Sequence, residues 1–306
     1  MHEPVMISIV IPTFKRPAAL ARAVKSVLAL APFSDDVELV VVDNDAARSA
    51  RSTVRELAVS APILVRYVYE PAAGVANARN AGVRAARGDF IAFLDDDETA
   101  SRYWLPRALS VQDRFGADVV FGPVIAEIPE GAPHRAYLQR FFSRQGPPKD
   151  QAIPGYYGCG GALVRKAALP DQNAPFSPER NLIGGEDDLL FGEMKRRGAK
   201  FAWAASAWVV EHPAPQRLTL RYALRRAFAY GQGPASDAWA AGPARWPMAP
   251  VWMAWGALQA IGYGAIAAAR WALRKDGRAE ALDGAAKGLG KLLWFPPFKI
   301  AFYGQV

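Results

Sequence analysis

The chain has 306 residues, is 51% hydrophobic and carries a net charge of +8; that is apolar material for one large domain or two smaller ones, and no low-complexity tract marks it as disordered. A single cysteine, Cys159, excludes an intrachain disulfide and a CxxC metal site and fits a reducing compartment. The basic charge favours polyanionic partners, yet no helix-turn-helix, zinc-finger or RNP pattern supports nucleic acid.

The first apolar run, residues 6–11, is preceded by Glu3 and Pro4 and by no basic segment. It reads as a buried strand and not as a secretory signal, which keeps the N-terminal part in the cytoplasm. Residues 17–30 place Leu20, Val24, Val27 and Leu28 on one helical face, with Pro17 in the first turn. Strand-length apolar runs follow at 37–42, 64–69, 90–94 and 118–121, with helical patterns at 76–86 and 104–115. Strands alternating with helices predict βαβ units: an α/β fold with a mostly parallel sheet covered by helices on both faces. Residues 126–155 are rich in Pro and Gly and read as a long loop with short elements, and the glycines around Cys159 read as a tight turn entering a buried strand. No GxGxxG or GxxxxGK[ST] pattern occurs, which removes the main support for a dinucleotide oxidoreductase or a P-loop protein.

From residue 236 the composition changes. This stretch holds six of the nine tryptophans and eight Lys/Arg against four Asp/Glu. We place a boundary there, giving domains 1–235 and 236–306. Residues 250–269 are almost wholly apolar and flanked by Arg245, Arg270, Arg274 and Lys275. A helical C-terminal segment that attaches to a membrane surface as a peripheral, monotopic or re-entrant anchor fits this composition; a soluble helical subdomain is the alternative.

In parallel sheets, ligands bind beyond the carboxyl ends of the strands. The first strand runs into Pro12-Thr13-Phe14-Lys15-Arg16, the second into Asp43-Asn44-Asp45 and the fourth into Asp95-Asp96-Asp97-Glu98. Four adjacent carboxylates repel one another and persist when solvated, when capping a helix or when bound to a cation. In an extended segment Asp95 and Asp97 project the same way. Their hard oxygens suit Mg²⁺ or Mn²⁺, and such an ion also neutralises a leaving diphosphate.

With these residues in view, the chain resembles family 2 of the glycosyltransferases, which have the GT-A fold. The matching stretches are Val10-Ile11-Pro12-Thr13-Phe14-Lys15-Arg16-Pro17, Val40-Val41-Val42-Asp43-Asn44-Asp45, Gly74-Val75-Ala76-Asn77-Ala78-Arg79-Asn80-Ala81-Gly82, the segment from Gly88 to Asp97 holding a DxD pattern, and Gly184-Gly185-Glu186-Asp187-Asp188. They occur in the family's order over about 190 residues. Glu211-His212-Pro213 and the stretch 217–232 further resemble the succinoglycan branch, which builds bacterial exopolysaccharide. The last seventy residues match no motif of the family.

The resemblance implies an inverting transfer from a nucleotide sugar, with UDP-sugar the leading donor. Asn44 stands where the family often has a second aspartate, which leaves the base open. Asp187 is the implied general base, with Glu186 beside it as a second candidate; both also suit the start of a helix. Asp97 and Asp95 are the implied metal ligands, with His212 as a further ligand or phosphate contact. Pro12, Thr13, Phe14 and Arg16 are expected at the nucleotide pocket, Asp43 and Asn44 near base or ribose, Arg79 and Asn80 toward the pyrophosphate, and Asp96 with the acidic segment. Arg217, Arg221 and Arg225 lie on one helix face with Arg226 beside them. They form a solvated face or contact diphosphate or anionic lipid.

A cytoplasmic donor and an apolar tail together imply work at the cytoplasmic face of the inner membrane on a lipid-linked saccharide, with other polysaccharide assembly proteins as possible partners. Two rivals stand against this reading. A sugar-nucleotide pyrophosphorylase would show glycines after the first strand, which 12–16 lacks. A non-catalytic nucleotide- or lipid-binding member of an assembly complex would have no need of both acidic motifs.

Overall fold

A computed structural model describes residues 5–32, 35–181 and 184–300. Its elements in chain order are β1 (Met6–Thr13), α1 (Pro17–Leu28), β2 (Asp36–Asp43), α2 (Arg51–Ala58), β3 (Leu64–Tyr69), α3 (Val75–Ala85), β4 (Phe90–Phe93), β5 (Glu98–Ala100), α4 (Trp104–Phe115), β6 (Val119–Phe121), β7 (Val124–Ala126), α5 (Arg135–Phe142), β8 (Gln151–Ile153), β9 (Leu163–Arg165), α6 (Glu186–Arg196), β10 (Phe201–Trp203), β11 (Val209–Glu211), α7 (Leu220–Ala240), α8 (Met248–Ala272) and α9 (Arg278–Leu292). They form two compact units: Met1–Glu127 with Phe142–His212, and Ile128–Phe141 with Pro213–Val306.

In the first unit, the described residues form a large sheet of order β3-β2-β1-β4-β9-β6-β10-β8. The β3-β2-β1-β4 half is parallel throughout. Beyond it the sheet is mixed: β9 runs antiparallel to both β4 and β6, and β8 closes the edge antiparallel to β10. The side-chain period of two explains the two cores. Ile7, Ile9 and Ile11 of β1 join Leu20, Val24 and Val27 of α1 and Trp104 and Leu105 of α4 on one face. Val10, Val40 and Val42 join Ala78 and Ala81 of α3 and Leu190 and Phe191 of α6 on the other.

Helix α1 begins at Pro17, where the missing N–H has no intrahelical partner to lose. Helix α3 can lie close on β1 only because residue 82 is glycine; a Cβ there would collide with Val10 Cγ1. The order of strands reverses between β1 and β4, so this is the point of the sheet where a ligand crevice is expected. A small sheet of order β5-β11-β7 follows the acidic segment.

The second unit is helical. Its helices α7 and α9 cross closely, as do α8 and α9, through small residues; a Cβ on Gly256 would lie 2.6 Å from Gly288 O. A boundary at 235/236 falls inside α7, and this unit begins instead at Pro213 and takes in 128–141. That inserted stretch reads as loop from its prolines and glycines, but Tyr137 and Leu138 form a buried helical face in α5. Helix α8 is apolar outward: Val251, Trp255, Leu258, Ile261 and Ile266 are exposed. The one strongly polar residue of its 250–269 stretch, Gln259, turns inward, donating to Gly284 O at 3.0 Å and accepting from Lys291 Nζ at 2.8 Å. By length and composition α8 is long and apolar enough to cross a membrane.

Candidate active site

The parallel register sets Thr13 beside Asp43 and Val10 beside Phe93, so the polar segments after β1, β2 and β4 emerge along one edge. The segment after β4 does not continue extended. Glu98 N–H donates to Asp95 O at 3.0 Å, and Glu98 Oε2 accepts from Asp95 N–H at 3.1 Å, which closes residues 95–98 into a turn. Asp95 and Asp97 are therefore turn residues and not the same-face pair of a strand.

Each aspartate of this turn has a basic or hydroxyl partner. Thr13 Oγ1 donates to Asp96 Oδ2 at 2.8 Å, and Arg16 Nη1 donates to Asp96 Oδ1 at 3.2 Å and to Asp97 Oδ2 at 3.1 Å. Burial pushes the Asp96 carboxyl up to about 6, with Arg16 pulling it down and Asp97 pushing it up. Burial and the neighbouring Asp95 also push Glu98 well above the carboxylate range. The Asp95 side chain is 37% exposed, with Oδ1 held by Arg79 Nη2 at 3.0 Å.

Arg79 reaches from α3 to a second motif. Its Nη1 pairs with Glu186 Oε1 at the start of α6. Two acidic motifs about 90 residues apart in sequence thus share one buried guanidinium. Burial raises the Glu186 carboxyl above its usual value, against the pull of Arg79. Asp187 is half-buried; its Oδ2 accepts from Cys159 N–H at 3.1 Å and its Oδ1 from Asp188 N–H at 2.9 Å. Cys159 itself is buried in the turn before β9, and burial pushes its thiol well up.

Thr13, Arg16, Asp96 and Asp97 thus form one bonded set and Arg79, Asp95 and Glu186 a second, the two meeting at the Asp95-Asp96 peptide, and Asp187 follows Glu186 on α6. Pro12 lies in the β1–β2 ladder, and Phe14 is exposed after it with Lys15 Nζ 4.9 Å from its ring centre. Four of the expected site residues are held by partners within the protein. Asp43 is fully buried; its oxygens accept from Asp45 N–H, Ala50 N–H and Tyr67 Oη. Asn44 donates to Glu70 O and Ala72 O and accepts from Gly74 N–H. Asn80, 2% exposed, clasps the backbone of Phe176 with both ends of its amide. These three side chains pin loops, and their polar atoms are not open to a nucleotide. His212 binds Thr99 Oγ1 at 2.9 Å through Nε2 and Glu127 Oε2 at 2.8 Å through Nδ1. Neither ring nitrogen is open to a metal in this arrangement. Among the described residues, no group of three or more His, Cys, Asp or Glu is arranged to hold a metal.

One residue absent from the sequence reading stands out. Arg144 donates from Nε to Gly122 O at 3.0 Å, from Nη1 to Gly158 O at 2.7 Å and from Nη2 to Gly160 O at 2.6 Å. A single arginine in a Pro/Gly-rich stretch carries no pattern that would have marked it.

Residues 8–171 match the family model described as Glycosyl transferase family 2. The chain belongs to that family. The succinoglycan biosynthesis protein ExoM of Rhizobium meliloti (strain 1021) is 35% identical over 232 residues, covering 76% of this chain and 74% of ExoM. Among solved structures, the mannosyltransferase PcManGT from Pyrobaculum calidifontis, in complex with GDP-Man and Mn²⁺, superposes with a TM-score of 0.63 at 17% identity, over 95% of this chain and 88% of that one. S. aureus TarS 1-349, in complex with UDP-GlcNAc, superposes with a TM-score of 0.51 at 17% identity, over 74% of this chain and 66% of that one. The likenesses bear out the GT-A expectation of a large central sheet flanked by helices. Family membership makes the protein a glycosyltransferase with relatives in succinoglycan biosynthesis.

Proposed function

We propose that the protein is an inverting glycosyltransferase that moves a sugar from a UDP-sugar to a lipid-linked saccharide during synthesis of exopolysaccharide or another cell-surface polysaccharide. The observation that carries this reading is the shared guanidinium of Arg79, which binds the acidic turn through Asp95 and the start of α6 through Glu186. Asp187, next to Glu186, takes the proton of the acceptor hydroxyl. The new bond joins that oxygen to the anomeric carbon, while the bond from this carbon to the diphosphate oxygen breaks and its electron pair leaves with the diphosphate. Approach and departure on opposite faces invert the centre.

Asp95 and Asp97 would hold a divalent cation of the Mg²⁺ or Mn²⁺ kind: both are hard oxygen donors in the turn that follows β4, and such ions take one or two carboxylates and complete their shell with substrate phosphates. Bound there, the ion supplies positive charge to the diphosphate. Arg16, fixed by Asp96 and Asp97, and Thr13 hold the turn in shape. The choice of uridine draws on the UDP-GlcNAc named for TarS, while the GDP-Man named for PcManGT makes guanosine the competitor.

The outward apolar face of α8 and its basic flanks support attachment to the cytoplasmic face of the inner membrane, where a lipid-linked acceptor is presented. Nucleotide release from UDP-glucose, UDP-galactose, UDP-GlcNAc and GDP-mannose, measured with and without Mn²⁺, tests the reading. Metal-dependent release from a UDP-sugar is expected. Release from none of them, without any thermal shift on donor addition, would overturn it.

A further inference from the structure

We propose that Arg144 is a positioning residue for Asp187, acting through the single peptide group that joins Gly158 to Cys159. The inference rests on the reading of Asp187 as the base.

The geometry runs in a line. Arg144 is anchored to β7 by its own backbone, with its N–H 2.8 Å from Val124 O and its carbonyl accepting from Val124 N–H at 3.0 Å. Its guanidinium then reaches into the 158–161 turn, where Nη1 holds Gly158 O at 2.7 Å and Nη2 holds Gly160 O at 2.6 Å. The carbonyl of Gly158 belongs to the same planar peptide group as the N–H of Cys159. That N–H donates to Asp187 Oδ2 at 3.1 Å. A positive charge therefore grips the carbonyl end of one peptide dipole, and a carboxylate takes its amide end. Hydrogen bonds aligned in this way polarise and strengthen one another. Because the peptide is rigid, the direction of Cys159 N–H, and with it the aim of Oδ2, follows from where Arg144 holds the carbonyl.

The turn itself is shaped around these groups. A Cβ at residue 158 would lie 3.2 Å from Asp187 Oδ2 and 3.9 Å from Arg144 Nη1, and one at residue 160 would lie 2.5 Å from Glu98 Oε1. Glycine at 158 and 160 lets the backbone pass between Arg144, Asp187 and Glu98. Burial lowers the guanidinium below its usual value, and the neighbouring Glu98 opposes this most strongly.

The test uses full-length protein, Mn²⁺ and the UDP-sugar that wild type hydrolyses fastest, with water as acceptor. Arg144→Lys keeps the charge but loses the planar fork that holds three carbonyls. Its kcat should fall about tenfold or more, the scale of a misaimed catalytic group, with donor KM within about twofold of wild type. Gly158→Ala, which sets a methyl against Asp187 Oδ2, should do the same. If Arg144 acts through Asp187, then Arg144→Lys combined with Asp187→Asn is no slower than Asp187→Asn alone. Wild-type turnover in both single variants, or losses that multiply in the combined variant, would overturn the inference. Should Arg144→Lys fail to fold, Gly158→Ala with Asp187→Asn makes the same comparison. Wild-type turnover in Asp187→Asn would remove the base assignment and this inference together, whereas a slow Asp187→Asn with a fast Arg144→Lys and Gly158→Ala removes this inference alone.

Discussion

Arg79 and Glu186 form a buried ion pair that ties α3 to the first turn of α6, and the other terminal nitrogen of Arg79 holds Asp95. Removing the guanidinium leaves Glu186 buried without its cation, and breaking a buried pair from one side costs about 3–5 kcal/mol. Arg79→Met should lower the urea midpoint accordingly and abolish nucleotide release. Arg79→Lys reaches one carboxylate and not both, because it lacks the fork. It should recover most of the stability and little of the activity. Equal recovery of both would separate the pair from the chemistry.

Asp187→Asn keeps the size of the side chain and can still accept from Cys159 N–H through its oxygen. It loses basicity. Turnover should fall about 10²-fold or more, the scale of general base catalysis, with donor affinity unchanged. Steady-state release of UDP beside calorimetric titration of UDP separates the two quantities. Near-normal turnover would move the role to Glu186.

Asp97 and His212 make a contrasting pair. Asp97→Ala should remove the Mn²⁺-dependent part of UDP affinity. His212→Ala should leave that part intact, because both ring nitrogens serve Thr99 and Glu127, and should instead reduce stability by about 1 kcal/mol, the ordinary value of such hydrogen bonds. Isothermal titration with UDP, with and without Mn²⁺, reads the first effect and thermal melting the second.

Glu38 gives a pH-dependent stability. Burial pushes its carboxyl up, but bonds from Ser8 Oγ at 2.7 Å, Arg87 N–H at 2.8 Å and Arg66 Nη1 at 3.1 Å outweigh burial and hold it below its usual value. A folded-state value below the unfolded one, about 4.3, means that the contribution is complete above that pH and is lost as pH falls through the folded value. Glu38→Gln should therefore be less stable than wild type by about 2 kcal/mol at pH 7. The gap between the two should narrow below about pH 4 in urea titrations. A gap that widens on acidification would contradict the assignment.

Much of this was readable from residues alone, and the reasons differ by element. Runs such as 6–11 and 37–42 are apolar apart from the paired Ser8 and Glu38 because β1 and β2 are buried on both faces, so they announce themselves. The acidic turn and the Glu186-Asp187 pair are local strings, equally visible. What stayed hidden depends on contacts between distant residues. Asn80 sits inside a motif, but its partner is the backbone of Phe176, 96 residues away. His212 looks like a free ligand until Thr99 and Glu127 are placed beside it. Arg144 donates to three backbone carbonyls, which no side-chain pattern can reveal. The change in composition places a boundary after residue 235, whereas α7 runs through that point without a break.

The apolar face of α8 leads to the last prediction. Trp255 is 59% exposed, Leu258 66% and Ile261 71%, and their spacing keeps them on neighbouring turns of one helix. A soluble helix would carry its polar residues here and its apolar ones toward α9; α8 turns Gln259 toward α9 instead. Lipid is the occupant that such a face suits, with Arg270, Arg274 and Lys275 near anionic headgroups, each adding about 1 kcal/mol. Cutting the chain at residue 235 would divide α7, so substitution is the cleaner probe. The variant Trp255→Glu/Leu258→Glu/Ile261→Glu changes exposed positions only and should fold with an unchanged circular dichroism spectrum. In flotation with phosphatidylglycerol-containing vesicles, wild type should rise with the lipid and the variant should stay in the dense fraction. High salt should weaken wild-type binding through the basic residues without abolishing it, because the apolar contribution is not screened. Equal flotation of both proteins, or none by either, would remove the membrane from the account of α8.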